Sequence, residues 1–150
     1  MMIAGLALAI LSAPLTAQAA DVGTPPAQAE APRFEPATEG EAFRLDLPEG
    51  AVLGRRSVID FDLYQVLVDG RAVLGLYEGF AADADWVEDP RQSERQTKTV
   101  EGQPVEYFWS RPCGRVSQVH AWLYPDASSD AVSMARAIAD SIVIKPCDRQ

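Results

Sequence analysis

The sequence predicts an α+β domain: a mainly antiparallel β-sheet with one C-terminal helix packed on a face and a short final strand. Three observations carry this prediction. Apolar residues alternate with polar ones, or gather in β-branched and aromatic runs, through the middle of the chain. Turn residues such as Asp69-Gly70 separate those runs. Helical spacing of apolar residues occurs clearly only once, near the end.

Taken in order, Phe43, Leu45 and Leu47 alternate with polar neighbours and predict a first strand, ended by the turn residues Pro48-Glu49-Gly50. Residues 57–68, which contain VIDFDLYQVLV, predict a second strand. Asp69-Gly70 joins it to an apolar run at 71–77, and Asp-Gly between two such runs is a strong hairpin signal. Residues 79–95 are acidic, small and broken by Pro90, which predicts a long loop. Residues 97–100, Gly102 and residues 105–111 predict a further hairpin, and 115–124 the next strand after Pro112-Cys113-Gly114. The period then changes. Ala131, Ala135, Ile138 and Ile142 recur at helical spacing after a Pro125-to-Ser129 stretch rich in N-cap residues, so a helix should run to about Ser141. Ile142-Val143-Ile144 predicts a closing strand.

The N-terminus predicts export. Residues 1–15 are almost wholly apolar and are followed by Ala17-Gln18-Ala19, small residues at the two positions a signal peptidase reads. The apolar run of roughly 14 residues is shorter than the ~20 that span a bilayer, so a cleaved signal peptide over 1–19 is the better reading, although no Lys or Arg precedes it. Residues 20–40 are rich in Pro, Ala and Glu with little large apolar surface, which predicts a disordered linker. That leaves 41–150 as a single domain. Arg greatly outnumbers Lys and Asn is absent, as in a GC-rich bacterial genome, so the expected location is the periplasm or the exterior.

A net charge of −9 over 150 residues argues against nucleic acid, whose phosphates are met with Lys and Arg. A cationic partner, another periplasmic protein or a neutral ligand fits better. The only two cysteines, Cys113 and Cys147, have no metal-ligand spacing, and in an oxidising compartment they predict a disulfide. Closing a loop of about 34 residues would stabilise the fold by about 3.5 to 4 kcal/mol on chain entropy.

The strand ending in Pro48-Glu49-Gly50 and the late helix with Ala135, Ile138, Ala139, Ser141 and Ile142 resemble the PsbP, Mog1 and DcrB-like domains. The likeness spans residues 43–144. It implies an exported or organellar accessory fold without established catalysis, and carries no functional residue across.

Motifs for catalysis are missing: the chain has no H-E-x-x-H, G-x-S-x-G, glycine-rich phosphate loop or C-x-x-C, and nothing in it calls for a cofactor or a metal. His120 is the single histidine. On a strand it would share a face with Val116, Gln118, Trp122 and Tyr124, and on a neighbouring strand Glu106 could stand as the carboxylate that orients it as a base, or Ser110 as the hydroxyl it would activate. Glu78, Asp83, Asp85, Glu88 and Asp89 crowd around Trp86 without EF-hand spacing, which suggests a surface for a cationic partner with Trp86 as anchor. Tyr107, Trp109, His120 and Trp122 would form an exposed aromatic strip if Tyr107 and Trp109 point away from the helix. The sequence therefore predicts a non-catalytic exported binding or accessory module. An acidic inhibitor or immunity-like protein against a basic enzyme, and a small hydrolase using His120, are the alternatives.

Overall fold

Two tight hairpins set the pattern of the sheet. Strands β4 (Phe61–Val68) and β5 (Arg71–Gly79) meet across Asp69-Gly70, and β6 (Gln96–Val100) and β7 (Gln103–Ser110) across Glu101-Gly102. Both turn pairs lie at positive φ, 51° followed by 75°. That is the two-residue geometry whose twist matches paired strands, and it requires glycine or a tolerant polar residue at each place.

The computed structural model describes residues 33–92, 94–111, 118–125 and 128–147, all within the unit Pro32–Gln150. The expected signal peptide and the linker up to residue 32 lie outside them. The predicted Cys113–Cys147 bridge lies partly outside, since Cys147 is described and Cys113 is not.

Among the described residues, β1 (Glu35–Ala37), β3 (Ala51–Ser57) and β8 (Gln118–Leu123) complete a seven-stranded antiparallel sheet in the order β1-β3-β4-β5-β8-β7-β6. The short β2 (Phe43–Arg44) and β9 (Val143–Ile144) pair separately, also antiparallel. One helix, α1 (Ser129–Asp140), follows the large sheet. The protein is thus α+β and mostly sheet.

The helix begins where its sequence lets it. Ser128 accepts a hydrogen bond from the Ala131 N–H, and Asp130 places a negative charge in the first turn, where the exposed amide groups favour it. Ala135, Ile138 and Ala139 are buried and share one face, which packs on β5, β8 and β7. The sheet side of that core contains Leu53, Tyr64, Val66, Leu74, Leu76, Tyr107, Trp109, Val119 and Ala121, and Phe43 and Ile142 close its end. At the far end of α1, the Ser141 hydroxyl donates to the Ile138 carbonyl at 2.7 Å and accepts from the Asp46 N–H at 2.9 Å. This ties the helix to the segment after β2.

Three predicted boundaries are corrected, the first being that of the opening strand, which is only Phe43–Arg44 and does not reach Leu47. Residues 57–68 are not one strand: β3 ends at Ser57, the chain turns with Val58 N–H bonded to the Phe61 carbonyl at 2.8 Å, and β4 starts at Phe61. The β-branched Val58 and Ile59 gave the turn the look of a strand, yet Ile59 is 85% exposed. Part of the segment predicted as linker is instead folded: Glu35–Ala37 pairs with β3 and Gly40 is buried. The predicted long loop is confirmed in outline, with no helix or strand among its described residues from Phe80 to Arg95.

Candidate functional site

The helix covers one face of the sheet, and the period-two alternation of each strand decides which side chains reach the other. Register places Tyr77 beside His120 and Gly75 beside Trp122, Trp122 beside Glu106, His120 beside Phe108, and Leu63 beside Tyr77. Directly opposed residues share a face. One surface therefore collects an acid, a histidine and several rings from four strands.

A concavity of about 840 Å³ opens on this face. Its walls are Phe61, Leu63, Tyr77, Val105, Trp122 and Leu123, with Glu106 and His120 set among them, and Asp60, Phe80 and Asp83 also line it. A volume in the range of ordinary small-molecule sites, mostly apolar walls and a few convergent polar groups make it the natural candidate. Two glycines of β5 create its shape. A Cβ on Gly75 would sit 2.3 Å from the Trp122 ring, and one on Gly79 2.4 Å from the Tyr77 hydroxyl. Without side chains there, Trp122 lies down over the strand and Tyr77 stacks on Phe61 at 5.3 Å between centroids. The mouth carries exposed apolar groups: Phe80 is 49% exposed, and Ile59 precedes the lining residue Asp60.

Glu106 organises the polar part. Its Oε1 accepts from Lys98 Nζ at 2.8 Å, and its Oε2 accepts from Trp86 Nε1 at 2.8 Å and lies 3.0 Å from His120 Nε2. Burial alone would raise the carboxyl pKa, but the bonds from Lys98, Trp86 and His120 outweigh it and hold the group below its ordinary value. Burial pushes His120 the other way from a typical ion pair: desolvation lowers its pKa more than Glu106 raises it. A neutral imidazole bonded to a charged carboxylate carries its proton on Nε2, which leaves Nδ1 as an acceptor. The His120 ring sits between two indoles, 6.4 Å from Trp86 and 5.5 Å from Trp122.

The loop after β5 is clipped over this arrangement. Besides the Trp86 bond, Ala82 N–H donates to Gln118 Oε1 at 2.7 Å and Ala81 N–H to the Tyr77 hydroxyl at 3.1 Å. Asp83, Asp85, Glu88 and Asp89 are exposed along it, whereas Trp86 is half-buried. Trp86 is therefore bound to the site floor through its indole N–H, not presented outward as an isolated anchor.

Glu78 does not belong with these acids. It alternates to the helix-covered face and is 1% exposed. There it accepts from the Tyr64 hydroxyl, from the Ala42 N–H, and from the Glu41 N–H at 3.1 Å. Burial, then the bond to Glu78, pushes the Tyr64 phenol far above its ordinary value.

The predicted aromatic strip is also divided. Tyr107 pairs with Ala121 and Trp109 with Val119, so both rings enter the helix-side core, stacked at 6.0 Å and almost fully buried. His120 and Trp122 remain on the open face. The orienting acid expected for His120 is found in Glu106, while Phe61, Tyr77, Trp86 and Lys98 complete the site from positions that sequence reading did not connect with it. Among the described residues no group of three or more His, Cys, Asp or Glu is placed to hold a metal ion. No helix among them is long and apolar enough to cross a membrane.

Comparison with known proteins gives no match: no family model, curated protein or solved structure is similar to the chain.

Proposed function

We propose that this is an exported, non-catalytic binding module that takes a small ligand with an apolar body in the cavity on the open face of the sheet. The observation that carries the reading is the cavity itself, walled by Phe61, Tyr77 and Trp122 and kept open by Gly75 and Gly79. Rings that pack a core would meet an opposing layer. These remain partly exposed on a face the helix does not cover.

The direct test is titration of the protein with phenylbutanol, a neutral ring on a flexible stem, followed by tryptophan emission. Saturable change in the wild type, lost in Trp122→Ala, is the expected result. A linear, unsaturable response up to millimolar concentration would remove the reading. Export and the Cys113–Cys147 bridge belong to the same proposal. N-terminal sequencing of the secreted or periplasmic form should begin after Ala19, and thiol titration in denaturant without reductant should find none free.

A second reading, an inhibitor or immunity-like protein for a basic enzyme, is favoured by the exposed Asp83, Asp85, Glu88 and Asp89. It predicts capture of a basic protein that weakens when Asp85 and Glu88 are replaced together by Asn and Gln. A hydrolase built on His120 has the Glu106 pair in its favour, but among the described residues no Ser, Thr or Cys lines the cavity to act as a nucleophile.

A further inference from the structure

We infer that the ligand of the open-face cavity is an organic cation, a primary ammonium carried on an apolar or aromatic body; this deepens the binding reading above and rests on it. Four observations converge. Among the described residues, every charged residue lining the cavity is a carboxylate, Asp60, Asp83 or Glu106, and no Lys or Arg lines it. Lys98 bonds Glu106 at 2.8 Å from the β6 side and is not itself a wall. Rings able to receive a cation on their faces, Phe61, Tyr77 and Trp122, make up the walls. His120, bonded through Nε2 to Glu106, is left with Nδ1 as a hydrogen-bond acceptor, which suits an N–H donor and not an oxyanion.

The chemistry of each part is complementary to an ammonium head and to nothing negative. A carboxylate or phosphate ligand would meet the like charges of Asp60 and Asp83 and an acceptor nitrogen, with Glu106 already paired to Lys98. A purely neutral ligand would use the rings and leave the acids solvated. An alkyl or aryl ammonium uses both, and the overall charge of −9 favours its approach. The cavity volume of about 840 Å³ matches a free small molecule.

The test compares three probes of one shape, phenylbutylamine, phenylbutanol and phenylbutyrate, by calorimetry with the full mature protein at about pH 7.5, above the ordinary imidazole value. The expected order is amine, then alcohol, then carboxylate, with the amine about tenfold tighter than the alcohol, an advantage that added salt reduces. Asp60 and Asp83 are both exposed, so the double variant Asp60→Asn, Asp83→Asn should fold normally and bring the amine affinity down close to that of the alcohol. Equal binding of amine and alcohol in the wild type overturns the cation inference and leaves the apolar-cavity reading standing. Binding of none of the three overturns both. Binding only of a lysine-bearing peptide, and not of the free amine, overturns the small-molecule assignment in favour of a protein partner.

Discussion

Glu78 and Glu106 stand on opposite faces of the same sheet, and each is hydrogen-bonded by three donors. The donors differ in kind. Two of those on Glu78 are backbone N–H groups of Glu41 and Ala42, and the third is the buried hydroxyl of Tyr64. All three on Glu106 are side chains, from Lys98, Trp86 and His120, and the carboxylate retains 22% exposure. A carboxylate that fixes backbone determines where the chain runs. One that gathers titratable and aromatic side chains beside a cavity determines what the surface can recognise.

The sharpest break in this comparison is Glu78→Ala. It removes a buried acceptor and leaves the Tyr64 hydroxyl and two N–H groups without their partner, at the point where the segment before β2 joins the core. We expect a loss of about 3 to 5 kcal/mol, read as a lower denaturation midpoint. The fraction that remains folded should bind phenylbutanol as the wild type does, because Glu78 faces away from the cavity. A change in affinity without a change in midpoint would reverse the roles assigned to the two acids.

Gly75→Ala works on the other face. The added methyl would lie 2.3 Å from the Trp122 ring, and the contact is with the body of the indole, not the end of a flexible chain. The ring must lift away from the strand. Overpacking of this kind costs about 1 to 3 kcal/mol, less than Glu78→Ala, but here ligand binding should fall with it. Retained affinity together with unchanged tryptophan emission would show that Trp122 does not form the wall.

These contrasts explain what could be read in the sequence. The two hairpins were legible because Asp69-Gly70 and Gly102 are local signals for a turn that needs positive φ. The helix was legible from its apolar spacing and the N-cap candidates ahead of it, of which Ser128 is the cap. Strand β1 was not, since three residues with one small apolar side chain acquire their structure only by pairing with β3. Parity along β8 placed His120 and Trp122 together correctly. Parity along β7 could not be fixed without its register against β8, which sends Tyr107 and Trp109 into the core and Glu106 to His120. The same one-residue alternation moved Glu78 out of the acidic surface, because a strand end at Gly79 places it on the buried face. What escaped sequence reading was long-range register in each case.

The smallest expected effect is on pH dependence, and it separates the two residues of the open-face pair. Burial holds the folded-state pKa of His120 below its ordinary value of 6.5, against the opposing pull of Glu106 and Asp83 and with help from Lys98. The unfolded chain therefore takes up this proton first as pH falls. Stability is full above about 6.5 and declines from there toward the lower folded value. Glu106 is depressed from 4.5, so its contribution is present above that value and is lost as pH falls further, through its folded pKa. Denaturation midpoints against pH should then show two successive losses on acidification. His120→Gln should remove the upper one and keep the lower. Glu106→Gln should remove the lower and, by deleting the group that favours the imidazolium, move the His120 titration followed by NMR to still lower pH. An upward movement of that titration in Glu106→Gln would mean that Glu106 does not hold the His120 ring, and the open face would lose the centre around which its cavity is organised.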